Sequence, residues 1–346
     1  MDAQVLAAIA KKMVAPGKGI LAIDESSGTC KKRFDSVGVE CTEENRRQYR
    51  ELLVSAPGIE QYISGMILYD ETIRQKDSSG VPFADILKKK DIIPGIKVDM
   101  GPKPLALHSG EVVTEGLDGL RDRLIEYAGL GAQFAKWRAV IAIGQNGAGV
   151  NMPSQACIMA NAHALARYAA LCQECGLVPM VEPEILIDGN HTIEKCYEVT
   201  ALTLKTLFSQ LAQQGVDVKG TILKVSMVLA GKDSAKVSAQ EVAKLTYKCL
   251  TENVPHDLAG VVFLSGGQSD EDATINLDLM NKMGGLPWPL SFSYGRAIQS
   301  SALKIWAADT VKNVARAQQA LVHRSKCNSL AALGKYDPAV EKEFTE

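Results

Sequence analysis

The sequence has few of the residues from which metal and redox sites are usually built. Its 346 residues include only 5 histidines, and no two of them have the H-x-x-x-H or H-x-H spacing of metal ligands. The 8 cysteines are scattered along the chain, and the C-x-x-C formed by Cys172 and Cys175 has no second cysteine or histidine pair to accompany it. We therefore expect no metal, no cofactor and no disulfide framework.

Charge and hydropathy argue against two further classes of partner. Lys and Arg number 38 against 40 Asp and Glu, so a net charge of −2 offers no basic excess for nucleic acid or an anionic membrane. No apolar run approaches the roughly 20 residues that span a bilayer. The N-terminal MDAQVLAAIAKKMV lacks the basic start and apolar centre of a signal peptide. We expect a soluble cytoplasmic protein with neither nucleic acid nor membrane as its partner.

Short apolar segments that end in glycine or polar residues recur along the chain and read as strands. They cover 19–25, 62–71, 95–99, 134–140, 178–186, 221–228, 260–267 and 290–296. Segments with helical spacing separate them, and two of these open on the capping residues Thr42 and Ser238. Strands that alternate with helices in this way predict an α/β fold, a (β/α)8 or TIM barrel.

The whole chain, 1–346, is expected to form one domain. We assign 1–18 to an N-terminal helical extension, 19–317 to the barrel, and 318–346 to a C-terminal helix and short tail. A doubly wound open sheet is the main alternative. It would normally carry a phosphate loop after its first strand, and LAIDESSG is not such a loop.

Charged residues fall on one face of several predicted strands, opposite an apolar face that suits packing against helices. Because alternate residues of a barrel strand point inward, the charged face should line the barrel. An ion network that merely fills the barrel is the alternative, but stability alone seldom favours so many buried charges over apolar side chains. The inward set lies in the later half of the strands, where barrel enzymes carry their sites: Asp24, Lys97, Asp99, Lys136, Arg138, Glu182, Glu184 and Lys224.

Lys224 lies in the middle of an apolar strand, GTILKVSMVL. Crowded by Lys136 and Arg138 in a partly dry site, its ammonium group should lose a proton more readily, because burial and like charge both disfavour the charged form. A neutral amine attacks carbonyl groups to form a Schiff base, and nearby glutamates can supply and remove the protons that this reaction requires. We interpret Lys224 as a nucleophile.

Two groups of residues predict anion binding at the barrel mouth. LSGGQ (264–268) and SYGRA (293–297) follow the seventh and eighth strands, where barrels commonly bind phosphate through glycine amides and helix starts. Arg296 adds a bidentate donor. Lys32 and Arg33, after the first strand, could hold a second phosphate at the opposite rim. A short run of basic residues such as KKR, taken alone, is more often part of a solvated helix face. Together they suggest a substrate with a phosphate at each end.

A set of longer motifs runs through the chain: GKGILAIDES, TEENRRQYRELL, GIKVD, FAKWR, VPMVEPEIL, FLSGGQS and LSFSYGRA. With these motifs the chain closely resembles class I fructose-bisphosphate aldolase from about residue 13 to about residue 336. The resemblance implies a metal-independent lyase of glycolysis and gluconeogenesis, typically a homotetramer. Such an enzyme cleaves fructose 1,6-bisphosphate reversibly into dihydroxyacetone phosphate and glyceraldehyde 3-phosphate.

The resemblance also implies a role for each candidate site residue. Lys224 would form the Schiff base, Glu182 would be its acid and base, and Asp24 would take the C4 hydroxyl proton. Lys136 would hold charge beside them, with Glu184 and Arg138 in support. The implied phosphate contacts are Ser265, Gly266, Gly295 and Arg296 on the C1 side, Arg33 on the C6 side, and Lys97 near the mouth.

The chain departs from the family pattern at several positions. Val225 stands where the family usually has proline and Ile23 where it usually has alanine, and both should face the helices. Met100 replaces a lysine, and the chain ends EKEFTE without the terminal tyrosine of many members. Two other hypotheses stay open: a Schiff-base aldolase or transaldolase for another phosphorylated ketose, and a catalytically weak scaffold of the same shape.

Overall fold

Eight parallel strands close into a barrel in the computed structural model, which describes residues 3–344. The barrel strands are β1 (Gly19–Ala22), β2 (Ile63–Leu68), β3 (Ile93–Lys97), β4 (Phe134–Ile141), β5 (Val178–Ile185), β6 (Ile222–Val225), β7 (Gly260–Phe263) and β8 (Leu290–Tyr294). The hydrogen-bonded order is β1-β8-β7-β6-β5-β4-β3-β2, so each strand has a neighbour on both sides and the barrel has no free edge. The predicted TIM barrel is confirmed.

Helices connect the strands. They are α1 (Ala3–Met13), α2 (Ser27–Asp35), α3 (Glu43–Ser55), α4 (Asp70–Arg74), α5 (Phe83–Lys89), α6 (Leu120–Gly129), α7 (Gln155–Glu174), α8 (Ile193–Gln213), α9 (Ala239–Asn253), α10 (Asp270–Met283), α11 (Arg296–Ala308) and α12 (Val314–Ala332). Short 3-10 helices cover Ile59–Gln61, Val218–Gly220 and Pro338–Glu343. Within residues 3–344, no helix has the length and apolar character needed to cross a membrane.

Side-chain caps set the starts of helices that the sequence predicts. The Thr42 hydroxyl accepts a hydrogen bond from the amide of Asn45 at 3.1 Å at the start of α3. The Ser238 hydroxyl accepts one from the amide of Glu241 at 3.3 Å at the start of α9. Each cap satisfies an amide that the helix itself leaves free, and such a contact is typically worth about 1 kcal/mol.

The apolar core has two parts, which follow the alternation along the strands. Residues such as Leu21 and Leu223 belong to the outer part, between strands and helices. Ile20, Phe134 and Ile222 belong to the inner part, which fills one end of the barrel together with side chains of α1. Gly95 leaves room for Phe134 there, since a Cβ on this glycine would lie 2.1 Å from the phenyl ring. The other end of the interior is left to charged groups.

Candidate active site

Four charged side chains, of which Asp24 is partly exposed and the other three are buried, form a continuous series of contacts inside the barrel. Lys224 Nζ lies 3.1 Å from Glu182 Oε1, and Glu182 Oε2 lies 3.3 Å from Lys136 Nζ. The Lys136 ammonium in turn lies 2.7 Å from Asp24 Oδ2. The side chains of Lys224, Glu182 and Lys136 are at most 5% exposed. The structure therefore brings together the residues that the sequence analysis selected as candidate nucleophile, acid and base.

The strand alternation explains why these groups meet. Met180 and Ile222 belong to the apolar filling of the barrel, and Glu182 and Lys224 follow them by two residues on the same inward face. The charged layer therefore lies directly above the apolar one. The apolar layer keeps water away from the charged groups on that side. The low local dielectric strengthens every electrostatic contact in the series.

Electrostatics separate the roles of the two buried lysines. Burial alone would raise the pKa of Asp24, but the ammonium groups of Lys136 and Lys224 outweigh it and hold the pKa below its ordinary value. Burial alone would lower the pKa of Lys136, but the carboxylates of Asp24 and Glu182 outweigh it and raise the pKa. Lys136 is therefore an ammonium ion at neutral pH and unsuited to nucleophilic attack. Lys224 lies close enough to Glu182 to pass a proton to it directly.

The supporting charges form pairs of their own near the mouth. Arg138 pairs with Glu184, and Lys97 Nζ lies 2.7 Å from Asp99 Oδ1. The backbone amide of Arg138 also donates to Asp99 Oδ2 at 3.2 Å, which joins the segment after β3 to the middle of β4. These contacts fix the two cations, Lys97 and Arg138, on the wall of one cavity.

That cavity, of about 580 Å³, contains two hydroxyl residues that the sequence analysis missed. Ser26 and Thr29 line it together with Lys97 and Arg138. Ser26 caps α2 by accepting from the amide of Thr29 at 3.4 Å. The signal was present in DESSGTC, where hydroxyl residues at a helix start follow Asp24 by a few positions. Hydroxyls, helix amides and a lysine together suit a phosphate group.

The glycine loops after β7 and β8 lie on the other side of the barrel interior. Ser265 is buried, and a Cβ on Gly266 would lie 3.2 Å from Glu184 Oε1, so the loop backbone passes close to that carboxylate. Gly295 precedes α11, and Arg296, the first residue of that helix, is exposed. The amides at this helix start are available to an anion.

Arg33 lies beside the loop after β8, whereas the sequence analysis assigned it to a phosphate at the rim opposite that loop. Its Nη2 is 3.7 Å from the position that a Cβ on Gly295 would occupy, while Nη1 pairs with Glu25. The geometry places Arg33 beside Gly295, which directly precedes Arg296. A role for Arg33 in phosphate binding stays a prediction.

The residues that depart from the family pattern lie where they leave the buried charges intact. Ile23 and Val225 belong to the outer core, as the alternation predicts. Met100 is 64% exposed at the edge of the cavity that contains Lys97, so no charge stands there in place of the usual lysine.

Three potential metal ligands meet in a separate cluster. His323 Nε2 lies 3.7 Å from Cys327 Sγ and 3.9 Å from Glu341 Oε2. Glu341 already accepts from the guanidinium of Arg324 and, at 2.7 Å, from the hydroxyl of Tyr336. Because its carboxylate is satisfied by these donors, we assign the cluster to the packing of the C-terminal segment on α12.

Comparisons with known proteins identify the family. The model of the glycolytic fructose-bisphosphate aldolase class-I family matches residues 5–346. A probable fructose-bisphosphate aldolase class 1 of Xanthomonas campestris pv. campestris is 61% identical, with 97% of this chain and 99% of the relative covered. Fructose-bisphosphate aldolase 1 of Toxoplasma gondii is 54% identical, with 96% and 91% covered. A solved structure of fructose-bisphosphate aldolase from Plasmodium falciparum, in complex with TRAP and a small-molecule inhibitor, is 48% identical, covers 97% of both chains and has a TM-score of 0.94. The chain belongs to the class I fructose-bisphosphate aldolase family.

Proposed function

We propose that this protein cleaves fructose 1,6-bisphosphate reversibly into dihydroxyacetone phosphate and glyceraldehyde 3-phosphate, through a Schiff base on Lys224. The observation that carries the proposal is the buried contact of 3.1 Å between Lys224 Nζ and Glu182 Oε1. It places an amine beside a carboxyl group able to move its protons. The names of the relatives favour fructose bisphosphate over another phosphorylated ketose. The buried reactive groups argue against a scaffold without activity.

The first stage is formation of the Schiff base. The neutral amine of Lys224 attacks the ketone carbon of the open-chain sugar, and one proton moves from the attacking nitrogen to the carbonyl oxygen to give a carbinolamine. Glu182 donates a proton to the departing hydroxyl, the C–O bond breaks, and water leaves an iminium ion. Lys136 lies 3.3 Å from Glu182 Oε2 and so holds the carboxyl group in place during both proton transfers.

The second stage is cleavage of the C3–C4 bond. Asp24, kept ionised by its lowered pKa, accepts the proton of the C4 hydroxyl. The electron pair of the C3–C4 bond then moves to the iminium nitrogen, which gives an enamine and free glyceraldehyde 3-phosphate. Protonation of the enamine at C3 and hydrolysis release dihydroxyacetone phosphate and restore Lys224. The Lys136 ammonium beside Asp24 stabilises the charge that moves through these steps.

The two phosphates are held on opposite sides of the buried charges. The helix start at α11, with its free amides and Arg296, suits one phosphate. The cavity that contains Lys97, Ser26 and Thr29 suits the other. We assign the C1 phosphate to Ser265, Gly266, Gly295, Arg296 and Arg33, and the C6 phosphate to Lys97, Ser26 and Thr29.

Family membership also guides the cellular setting that we infer. We assign the activity to glycolysis and gluconeogenesis in the cytoplasm, with a homotetramer as the functional form. A relative at 53% identity is named a cytosolic fructose-bisphosphate aldolase of Arabidopsis thaliana, which supports this location.

A substrate comparison tests the proposal. Turnover should be highest with fructose 1,6-bisphosphate, lower with fructose 1-phosphate, absent in Lys224→Met, and unchanged by EDTA. A requirement for an acceptor aldehyde would support the transaldolase alternative. Faster turnover of another phosphorylated ketose would contradict the substrate assignment, and loss of activity on chelation would favour a metal-dependent reaction.

A further inference from the structure

A buried carboxylate lies between two arginines directly behind the β8 loop. Glu25 Oε1 pairs with Arg33, and Glu25 Oε2 lies 2.7 Å from Arg50 Nη1. The side chains of Glu25 and Arg50 are 6% and 3% exposed, whereas Arg33 is 23% exposed. One carboxylate thus faces two guanidinium groups, and the more accessible of the two lies beside Gly295. The network carries surplus positive charge at its accessible end.

A second set of contacts ties this carboxylate to α11. Gln299 Nε2, on α11, donates to Glu25 Oε1 at 3.0 Å and to the carbonyl of Ala22 at 2.6 Å. Gln299 Oε1 accepts from the hydroxyl of Tyr49, on α3, at 3.1 Å. Glu25 therefore connects the end of β1, the core-facing side of α3, and the helix whose first residue is Arg296.

The two ends of the Arg33 guanidinium have different surroundings. Nη1 is engaged by Glu25, and Nη2 lies 3.7 Å from the position of a Cβ on Gly295. An arginine held by one nitrogen keeps its remaining donors in a fixed fork, which matches the oxygens of a phosphate group. The ion pair thus fixes the direction in which the free edge of Arg33 points.

We propose that Glu25 is a positioning residue for substrate phosphate: it holds Arg33 so that the free edge of the guanidinium faces an anion bound at Gly295 and Arg296. The inference deepens the proposed function and rests on it, since it explains how one phosphate subsite of that reaction is ordered. The rotamer entropy of Arg33 is lost on folding and not on binding, so the anion binds to a preformed site. Arg50, which is almost fully buried, serves as the anchor for Glu25.

The effect of Glu25→Gln on phosphate affinity distinguishes a positioning role of Glu25 from a purely electrostatic one. A carboxylate close to an anion repels it, so charge alone predicts that Glu25→Gln strengthens phosphate binding. Positioning predicts the reverse, because a neutral amide holds the Arg33 guanidinium less firmly than a carboxylate does. The two explanations cannot both fit the same titration.

Calorimetric titration of the full chain with inorganic phosphate tests the inference without any turnover. Arg296→Ala should remove the signal and so identify the site. Arg33→Ala should weaken binding roughly tenfold, the range of one charge-assisted contact. Glu25→Gln should weaken it about fivefold, and the double variant should be no weaker than Arg33→Ala alone, because Glu25 acts through Arg33. Tighter binding by Glu25→Gln, or an equal loss in the Arg33→Ala background, would overturn the proposal.

Two further variants guard against a merely structural effect. Glu25→Asp keeps the charge beside Arg50 but shortens the reach by one carbon, so it should fold and still weaken phosphate binding. Glu51→Gln makes the same chemical change at the carboxylate that pairs with Arg47 at 2.6 Å, and it should leave phosphate binding unchanged. An unchanged affinity in a folded Glu25→Asp would contradict positioning.

Kinetics then relate the effect to catalysis. Glu25→Asp should raise KM for fructose 1,6-bisphosphate with a much smaller change in kcat, since Glu25 does not touch the reacting atoms. If the wild-type protein showed no aldolase turnover, the proposed function would fail while the phosphate titrations still reported on Glu25. If the titrations failed while turnover was normal, only the positioning role would be lost.

Discussion

Lys136 Nζ lies 2.7 Å from Asp24 Oδ2. The ammonium group lowers the pKa of Asp24 and the carboxylate raises the pKa of Lys136, so both groups stay charged inside the barrel. The pair divides the chemistry between the two buried lysines, since an ammonium ion cannot attack a carbonyl. It also supplies the ionised carboxylate to which we assign the proton transfer from the C4 hydroxyl. The roles proposed for Lys224 and Asp24 both depend on this contact.

The contact predicts a dependence of stability on acid pH. The pKa of Asp24 is lower in the folded protein than its ordinary value of 3.8, so its contribution to stability is present above that value and is lost as pH falls below it. Asp24→Asn should therefore lose less free energy of unfolding than the wild type between about pH 5 and the acid limit of folding. Denaturant unfolding at a series of pH values measures this difference, and parallel curves for the two proteins would contradict the lowered pKa.

Glu182→Gln should lower turnover on the order of a hundredfold or more, the usual range for removal of an acid or base group. The substitution keeps the size of the side chain but removes the proton transfers that the carbinolamine requires, so Schiff-base formation should slow as well as cleavage. Rapid-quench trapping with borohydride measures the first of these rates. Glu198→Gln, at an exposed carboxylate 2.9 Å from Lys195 Nζ, is the control and should be near wild type. Adduct formation at the normal rate in Glu182→Gln would assign the acid and base role to another group.

The two phosphate subsites predict different substrate profiles. Lys97→Ala should weaken the binding of fructose 1,6-bisphosphate much more than that of fructose 1-phosphate. Only the bisphosphate has a phosphate that reaches the cavity of Ser26 and Thr29. Arg33→Ala and Arg296→Ala should weaken the binding of both substrates, since both arginines lie beside Gly295. A lost contact of this kind costs roughly 1.5–3 kcal/mol. An effect of Arg33→Ala on the bisphosphate alone would instead favour the sequence-based assignment of Arg33 to the C6 side.

Removal of the C-terminal segment should have little effect on turnover. Residues 338–343 form a 3-10 helix held on α12 by the contacts of Glu341 with Arg324, and Phe344 stacks on His323 with ring centroids 5.7 Å apart. Residues 345 and 346 lie outside the described part of the chain. Deletion of 338–346 should change kcat less than about threefold, under roughly 0.7 kcal/mol of barrier. It should lower stability, because Arg324 loses its carboxylate partner. A much larger loss, with slower exchange of the C3 hydrogen, would show that the segment assists the C3 proton transfer.

The alternation of strand residues is local, and it allowed the inward charges to be predicted from the sequence. It separates Lys224 from Val225 wherever the chain is extended, whatever surrounds the strand. The same rule did not predict a role for Glu25, because it puts this residue on the face opposite Asp24, where only packing against helices was expected. Ser26 and Thr29 were missed because they belong to the start of α2, where the strand alternation does not apply.

The placement of Arg33 depended on tertiary structure. The sequence shows that it follows the first strand, but its distance from Gly295 is set by the closure of the barrel between β1 and β8 and by the ion pair with Glu25. Neither can be read from local spacing. Residues fixed by strand geometry were thus predictable, whereas residues fixed by contacts between helix starts and loops were not.

Covalent trapping tests the central claim most directly. Borohydride reduction in the presence of dihydroxyacetone phosphate, followed by peptide mass spectrometry, should find one reduced triose phosphate adduct per chain, on the peptide that contains Lys224. The adduct should form equally well in EDTA and be absent from Lys224→Met. Modification of Lys136 in place of Lys224, or aldolase turnover without any trapped adduct, would contradict the account.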